Sequence, residues 1–147
     1  MTETVPLRSR RFGDHDVPVD RVVSFPEGLV GFPAARQFAL LEAARPDSPF
    51  RCLACLDFPD LGFVVCDAEA LWPGYIAELP LPEGVPPGEV VVLAIVTVPA
   101  DPTAMTANLM APLLVDCRTR TGRQLVLDTG RFTTRQPIFA RETPPSP

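Results

Sequence analysis

The single histidine, His15, stands between Asp14 and Asp16. An imidazole beside a carboxylate is the pairing that orients a general base. Hydrolysis or group transfer would also need a nucleophile or a metal constellation, and none accompanies His15 in the sequence. Gly13-Asp14-His15-Asp16 lies between two strand-like stretches, so it reads as a polar turn. The cysteines are Cys52, Cys55, Cys66 and Cys117, and Cys52-Leu53-Ala54-Cys55 is formally C-x-x-C. A zinc site wants a second Cys/His pair at ligand spacing, which Cys66 and Cys117 do not supply. In a strand over 50–56, positions 52 and 55 differ in parity and face opposite ways. A thioredoxin-like site needs a βαβ context that is missing here. These are expected to be small buried thiols. Gly28-Leu29-Val30-Gly31 is not a phosphate-binding glycine motif, and no long helix follows it. No cofactor and no metal is expected.

The elements that would position these residues are short apolar runs broken by turn residues, the pattern of a sandwich or barrel. Strands are expected at Arg8–Phe12, Arg21–Phe25, Gln37–Glu42, Phe50–Leu56 and Leu61–Cys66. Glu89–Val98 carries Val90-Val91-Val92-Leu93-Ala94-Ile95-Val96, apolar on both parities. Such a strand is covered on both faces and should be central. Pro112–Cys117 and Arg123–Asp128 flank an arginine-rich tip, Arg118-Thr119-Arg120-Thr121-Gly122, and read as a hairpin. One helical turn is expected at Ala68–Leu71 and another at Ala34–Phe38, after Pro33. Thr103–Pro112 reads as a loop. Its Met105, Leu109 and Met110 either present an adaptable apolar surface or tuck under the barrel rim as core.

The fold class that follows is all-β: a single compact β-barrel-like domain of short, mainly antiparallel strands, with at most one or two short helical turns. With 147 residues the chain fits one domain, 1–140, and can bury its own core. The 19 prolines punctuate apolar runs, except in 141–147, which reads as a Pro-rich disordered tail. The N-terminus has no basic stretch followed by an apolar one, and no run nears the ~20 residues of a membrane span. A cytoplasmic location is the expectation, with no membrane partner. All 13 basic residues are arginine, and the net charge of −5 is unevenly spread. Residues 52–117 hold Asp57, Asp60, Asp67, Glu69, Glu78, Glu83, Glu89, Asp101 and Asp116 and no basic residue. That block suggests an acidic face and a basic one, or else charges that simply solvate strand exteriors and turns. It also argues against direct nucleic acid binding there, since phosphate contacts need Lys or Arg. Arg118, Arg120 and Arg123 without interleaved aromatics make a poor RNA site.

Four segments resemble the FliW family of flagellar assembly factors. Val23-Ser24-Phe25-Pro26-Glu27-Gly28-Leu29-Val30-Gly31-Phe32-Pro33 is similar to the family's I-x-F-P-x-G-x-x-G-F-P stretch. Ser48-Pro49-Phe50 is followed by Leu61-Gly62-Phe63-Val64-Val65. Met105-Thr106-Ala107-Asn108-Leu109-Met110-Ala111-Pro112 resembles the signature T-A-N-L-x-A-P-I and runs on into Gly122-Arg123-Gln124-Leu125-Val126-Leu127-Asp128. Thr134-Arg135-Gln136-Pro137-Ile138-Phe139 is the fourth. The blocks span about residues 5–140 in one order. Ala104-Met105 replaces the Arg-Thr that often precedes the signature, and Cys55 stands where relatives often carry serine. The resemblance implies a compact β-barrel-like domain that is not an enzyme. It also implies two protein partners: flagellin, bound before export, and, where encoded, CsrA, an RNA-binding repressor of flagellin translation. Partner contact is then expected from the two motif-dense loops, through Phe25, Glu27, Phe32, Thr106, Asn108, Leu109, Met110 and Pro112. The competing classes are a β-barrel small-molecule enzyme, which needs polar groups converging in a pocket, and an RNA-binding module.

Overall fold

The structure is a computed structural model describing residues 3–42, 45 and 47–139. β1 (Thr4–Leu7) and β2 (His15–Pro18) form a separate hairpin. The main sheet uses β3 (Val22–Ser24), β4 (Gln37–Leu41), β5 (Phe50–Cys55), β6 (Gly62–Asp67) and β7 (Val90–Thr97). It continues with β8 (Thr106–Ala107), β9 (Leu113–Asp116), β10 (Thr121–Gln124) and β11 (Gln136–Pro137). Strands β3 to β7 pair antiparallel in chain order. β7 also pairs with β9, β9 with β10, and β10 lies parallel to β3 through Thr121 and Ser24. The ring β3-β4-β5-β6-β7-β9-β10 is therefore closed, an all-β barrel with β8 and β11 added outside β7. Closure leaves those seven strands few open edges.

β7 shows why the barrel has two cores. Its odd residues Val91, Leu93 and Ile95 join the interior with Phe25, Phe38, Leu53, Cys55, Val65 and Leu113. Its even residues Val90, Val92, Ala94 and Val96 face an outer layer containing Tyr75, Leu79, Leu109, Leu125 and Leu127. A strand apolar on both parities is thus covered on both sides, as its sequence requires. The β1–β2 hairpin covers another outer face, where Leu7 and Val17 pack on Ala39 and Ala54. Helix α1 (Ala68–Leu71) is the one α-helix among the described residues, capped by Asp67, whose carboxylate accepts the Ala70 N–H. The Pro-rich stretch after Leu79 lies over the outer layer through Leu81 and Val85.

Several boundaries differ from the sequence expectation. The first strand is Thr4–Leu7 and not Arg8–Phe12, because Ser9 closes a turn there. Its carbonyl accepts the Gly13 N–H (2.9 Å) and its hydroxyl the Phe12 N–H (3.0 Å). His15 and Asp16 consequently begin β2 instead of forming the turn, paired with Leu7 and Pro6. Ala34–Phe38 forms no helical turn. The Asp57 carboxylate takes the N–H groups of Arg36 and Gln37, and the chain enters β4 at Gln37. The β9–β10 hairpin forms, but its second strand is Thr121–Gln124 and not Arg123–Asp128, so Thr121 and Gly122 of the expected tip belong to β10. Thr103–Pro112 is not all loop, since β8 occupies its middle. The proposed tail 141–147 lies outside the described residues.

Most acids of the central block have partners in the structure. Arg10 pairs with Asp60 (2.8 Å), Arg131 with Glu78, and Arg118 with Glu89 (3.1 Å) and Asp116 (3.2 Å). The hydrogen bond from Arg118 holds the Asp116 carboxyl below its ordinary pKa. Asp57, Asp67 and Glu69 bind backbone N–H groups. Most of the acidic block is therefore turn caps and partners for arginines brought in from either end of the chain.

Candidate functional site

The strand directions gather three loops at one end of the barrel. β3 runs into 25–36, β5 into 56–61, and β7 into the 98–112 segment that returns as β9. Because β10 is parallel to β3, Gln124 arrives at that same end.

The 25–36 loop is pinned at its base and open at its tip. The Phe25 N–H donates to Arg36 O (2.7 Å), and Leu29 and Phe32 exchange both backbone bonds around Val30-Gly31. Gly31 has φ +85°, the value a tight turn needs at its third residue. Gly28, at φ +71°, lies where a Cβ would come within 2.5 Å of Pro33 O. Val30 is 64% exposed and Phe32 44%. Phe32 packs edge-on to Phe63 (5.9 Å), which continues through Phe38 to Phe25 inside the barrel. Across from Phe32, Phe58 is also 44% exposed, and the two flank an apolar groove of about 600 Å³ with Pro33, Ala34 and Leu61.

The 104–112 segment is locked by contrast. The Asn108 N–H donates to Ile95 O (2.9 Å) and the Leu109 N–H to Thr133 O (3.0 Å). Asn108 Oδ1 accepts the N–H groups of Met110 (3.1 Å) and Ala111 (3.0 Å). Leu109 O accepts the Tyr75 hydroxyl (2.5 Å), Met110 O the Leu127 N–H (2.7 Å) and Pro112 O the Leu125 N–H (2.9 Å). Burial pushes the Tyr75 phenol above its ordinary pKa, so it stays a donor. Leu109 is 4% exposed and packs in the outer core.

The expected contact residues therefore separate. Glu27 and Phe32 are exposed, and Thr106, Asn108 and Met110 are half-buried. Phe25, Leu109 and Pro112 are buried and can only support the surface from beneath. Sequence reasoning passed over Val30, Phe58 and Gln124. Gly31 signals the first, because it marks a turn whose other corner residue is Val30. Nothing local marks Phe58 or Gln124, which matter only through neighbours distant in sequence.

The other candidate chemistries come apart in the fold. Nε2 of His15 donates to the Phe12 carbonyl (2.7 Å), so that nitrogen is not free to act as a base. The adjoining cleft of about 440 Å³ includes Asp16, Asp20, Arg21 and Glu42 but no hydroxyl or thiol, and Arg21 is bound to Glu42 (2.6 Å). Cys55 faces the barrel interior, and Cys52, beside Leu41, the opposite side. Burial raises both thiols and pushes Cys66 up to about 12. Among the described residues no group of three or more His, Cys, Asp or Glu could hold a metal ion. No described helix is long and apolar enough to cross a membrane.

The class defined by this geometry is a closed seven-strand β-barrel with an apolar loop surface at one end. The profile of the FliW protein family matches residues 6–138. The flagellar assembly factor FliW of Bdellovibrio bacteriovorus is 36% identical over 146 residues, covering 92% of this chain and 79% of that protein. That of Symbiobacterium thermophilum is 35% identical, covering 82% and 91%. A crystal structure of the flagellar assembly factor FliW superposes with a TM-score of 0.81 at 27% identity, over 94% of this chain and 99% of that one. The chain belongs to the FliW family of flagellar assembly factors.

Proposed function

We propose that this flagellar assembly factor works in the cytoplasm by binding flagellin before export, and that it catalyses nothing. Where the cell encodes CsrA, it also binds that repressor and keeps it from flagellin mRNA. If the two complexes exclude one another, free flagellin displaces CsrA, and newly made flagellin restores its own repression by mass action. The observation that carries this is the apolar end of the barrel. Val30, Phe32 and Phe58 are large, outward and adjacent to a groove, on a scaffold whose own core is complete. The His15 cleft and the arginine hairpin offer nothing comparable, since Arg118 is spent on Glu89 and Asp116 and Arg120 on Val19 O.

Co-purification with the cognate flagellin and, if encoded, CsrA tests the proposal. A soluble complex with flagellin, weakened by Phe32→Ala or Phe58→Ala, is the expected result. Absence of both partners from soluble complexes would overturn it.

A further inference from the structure

Gln124 is the last residue of β10, half-buried, and its side chain lies between the two loops. Its Oε1 accepts the Val30 N–H (2.7 Å). Its Nε2 donates to Ala111 O (3.0 Å). One partner is a donor and the other an acceptor, so the orientation of the amide is fixed by its surroundings. Val30 is the exposed corner of one loop, and Ala111 belongs to the locked turn of the other. Neither the pinned base of 25–36 nor the Leu29–Phe32 turn ties the tip to the 104–112 segment. The Gln124 carboxamide does so with both of its polar atoms.

We propose that Gln124 is a positioning residue that holds the Val30–Gly31 tip at a set place against the Asn108–Pro112 turn, making one contact surface of two loops. This rests on the flagellin-binding function proposed above. The chemistry is selective for an amide. Leucine offers neither bond. A glutamate keeps an acceptor for Val30, but when ionised it sets an oxygen against Ala111 O. Protonation of that carboxyl would restore a donor.

The test uses the full chain with Gln124→Leu and Gln124→Glu, and Val30→Asp as a contact-loss control. Three quantities are read: hydrogen exchange at the Val30 amide, thermal midpoint, and affinity for purified flagellin. Gln124→Leu is expected to exchange the Val30 amide faster, and both Gln124 variants to bind flagellin about fivefold to tenfold more weakly, the range of one or two net hydrogen bonds. Relative to wild type at each pH, Gln124→Glu should recover affinity as pH falls from 8 toward about 5, near the ordinary glutamate range. Gln124→Leu should not recover. A purely structural role would lower the midpoint in both variants and leave the pH ratio flat. Unchanged Val30 exchange in both variants overturns the positioning role outright. Wild-type flagellin affinity in both, with weak binding by Val30→Asp, overturns the link to binding while leaving the flagellin function standing. If the wild-type protein binds no flagellin, the function fails, and Val30 exchange still decides what Gln124 positions.

Discussion

The loops 25–36 and 104–112 meet at one end of the barrel but are built oppositely. The first presents its apolar side chains outward and fixes its shape with glycines at positive φ. The second turns Leu109 and Pro112 inward and fixes its shape with side-chain and backbone bonds from four other segments. Both are dense in family-like motifs. The difference teaches that a dense motif marks geometry that must be kept, and that contact with a partner is a separate property. In 104–112 Asn108, Leu109 and Pro112 have architectural reasons. Asn108 supplies one acceptor to two N–H groups, and Pro112 sits where no N–H is required.

That contrast can be broken first at Gly28. A methyl there meets Pro33 O and is strained by the positive φ, so Gly28→Ala should cost about 2–4 kcal/mol in urea unfolding. Next, Asn108→Ala leaves two half-buried N–H groups without their acceptor and should cost about 1–3 kcal/mol. Tyr75→Phe should cost about 1–2 kcal/mol by leaving Leu109 O without its donor. The phenol is raised in the folded state, so its stabilisation is full below its usual pKa of about 10 and is lost as pH rises beyond it. The wild-type stability curve should therefore fall more steeply above about pH 10 than that of Tyr75→Phe. The slope from the raised thiols of Cys52, Cys55 and Cys66, beginning near pH 9.0, should remain in both. Smallest in stability is Val30→Asp, expected within about 0.5 kcal/mol of wild type because the side chain is mostly in water. Its effect should appear in flagellin binding instead. If Val30→Asp destabilised the fold as much as Asn108→Ala, the two loops would not differ in the way described.

Much of this architecture was legible in the sequence. The two-sided apolar run of β7, the β9–β10 hairpin and the opposite faces of Cys52 and Cys55 all follow from parity and turn residues. The boundaries that moved share one cause, a long-range or side-chain partner that local pattern cannot show. Ser9 closes its turn with a hydroxyl, and Asp57 starts β4 from about twenty residues away. The partners of the acidic block were hidden for the same reason, since Arg10 reaches Asp60, Arg118 reaches Glu89 and Arg131 reaches Glu78 only through folding. At the candidate site the two loops were legible as segments. Which of their residues face out was not, because outwardness at a barrel end depends on closure and not on period.

Closure itself carries a consequence for synthesis. The barrel is sealed where β10 meets β3, and Val30 receives its acceptor from a residue 94 positions downstream. A contact of such span is entropically costly and forms late. On a ribosome, β3 to β9 can pair locally while the seam waits for residues 121–124 to emerge. The apolar end is thus completed only after residues 121–124 have emerged. A prematurely terminated chain would carry the Phe32 loop without its mate, together with unpaired edges at β3 and β9, and would be a substrate for aggregation or proteolysis before it could act as a binder.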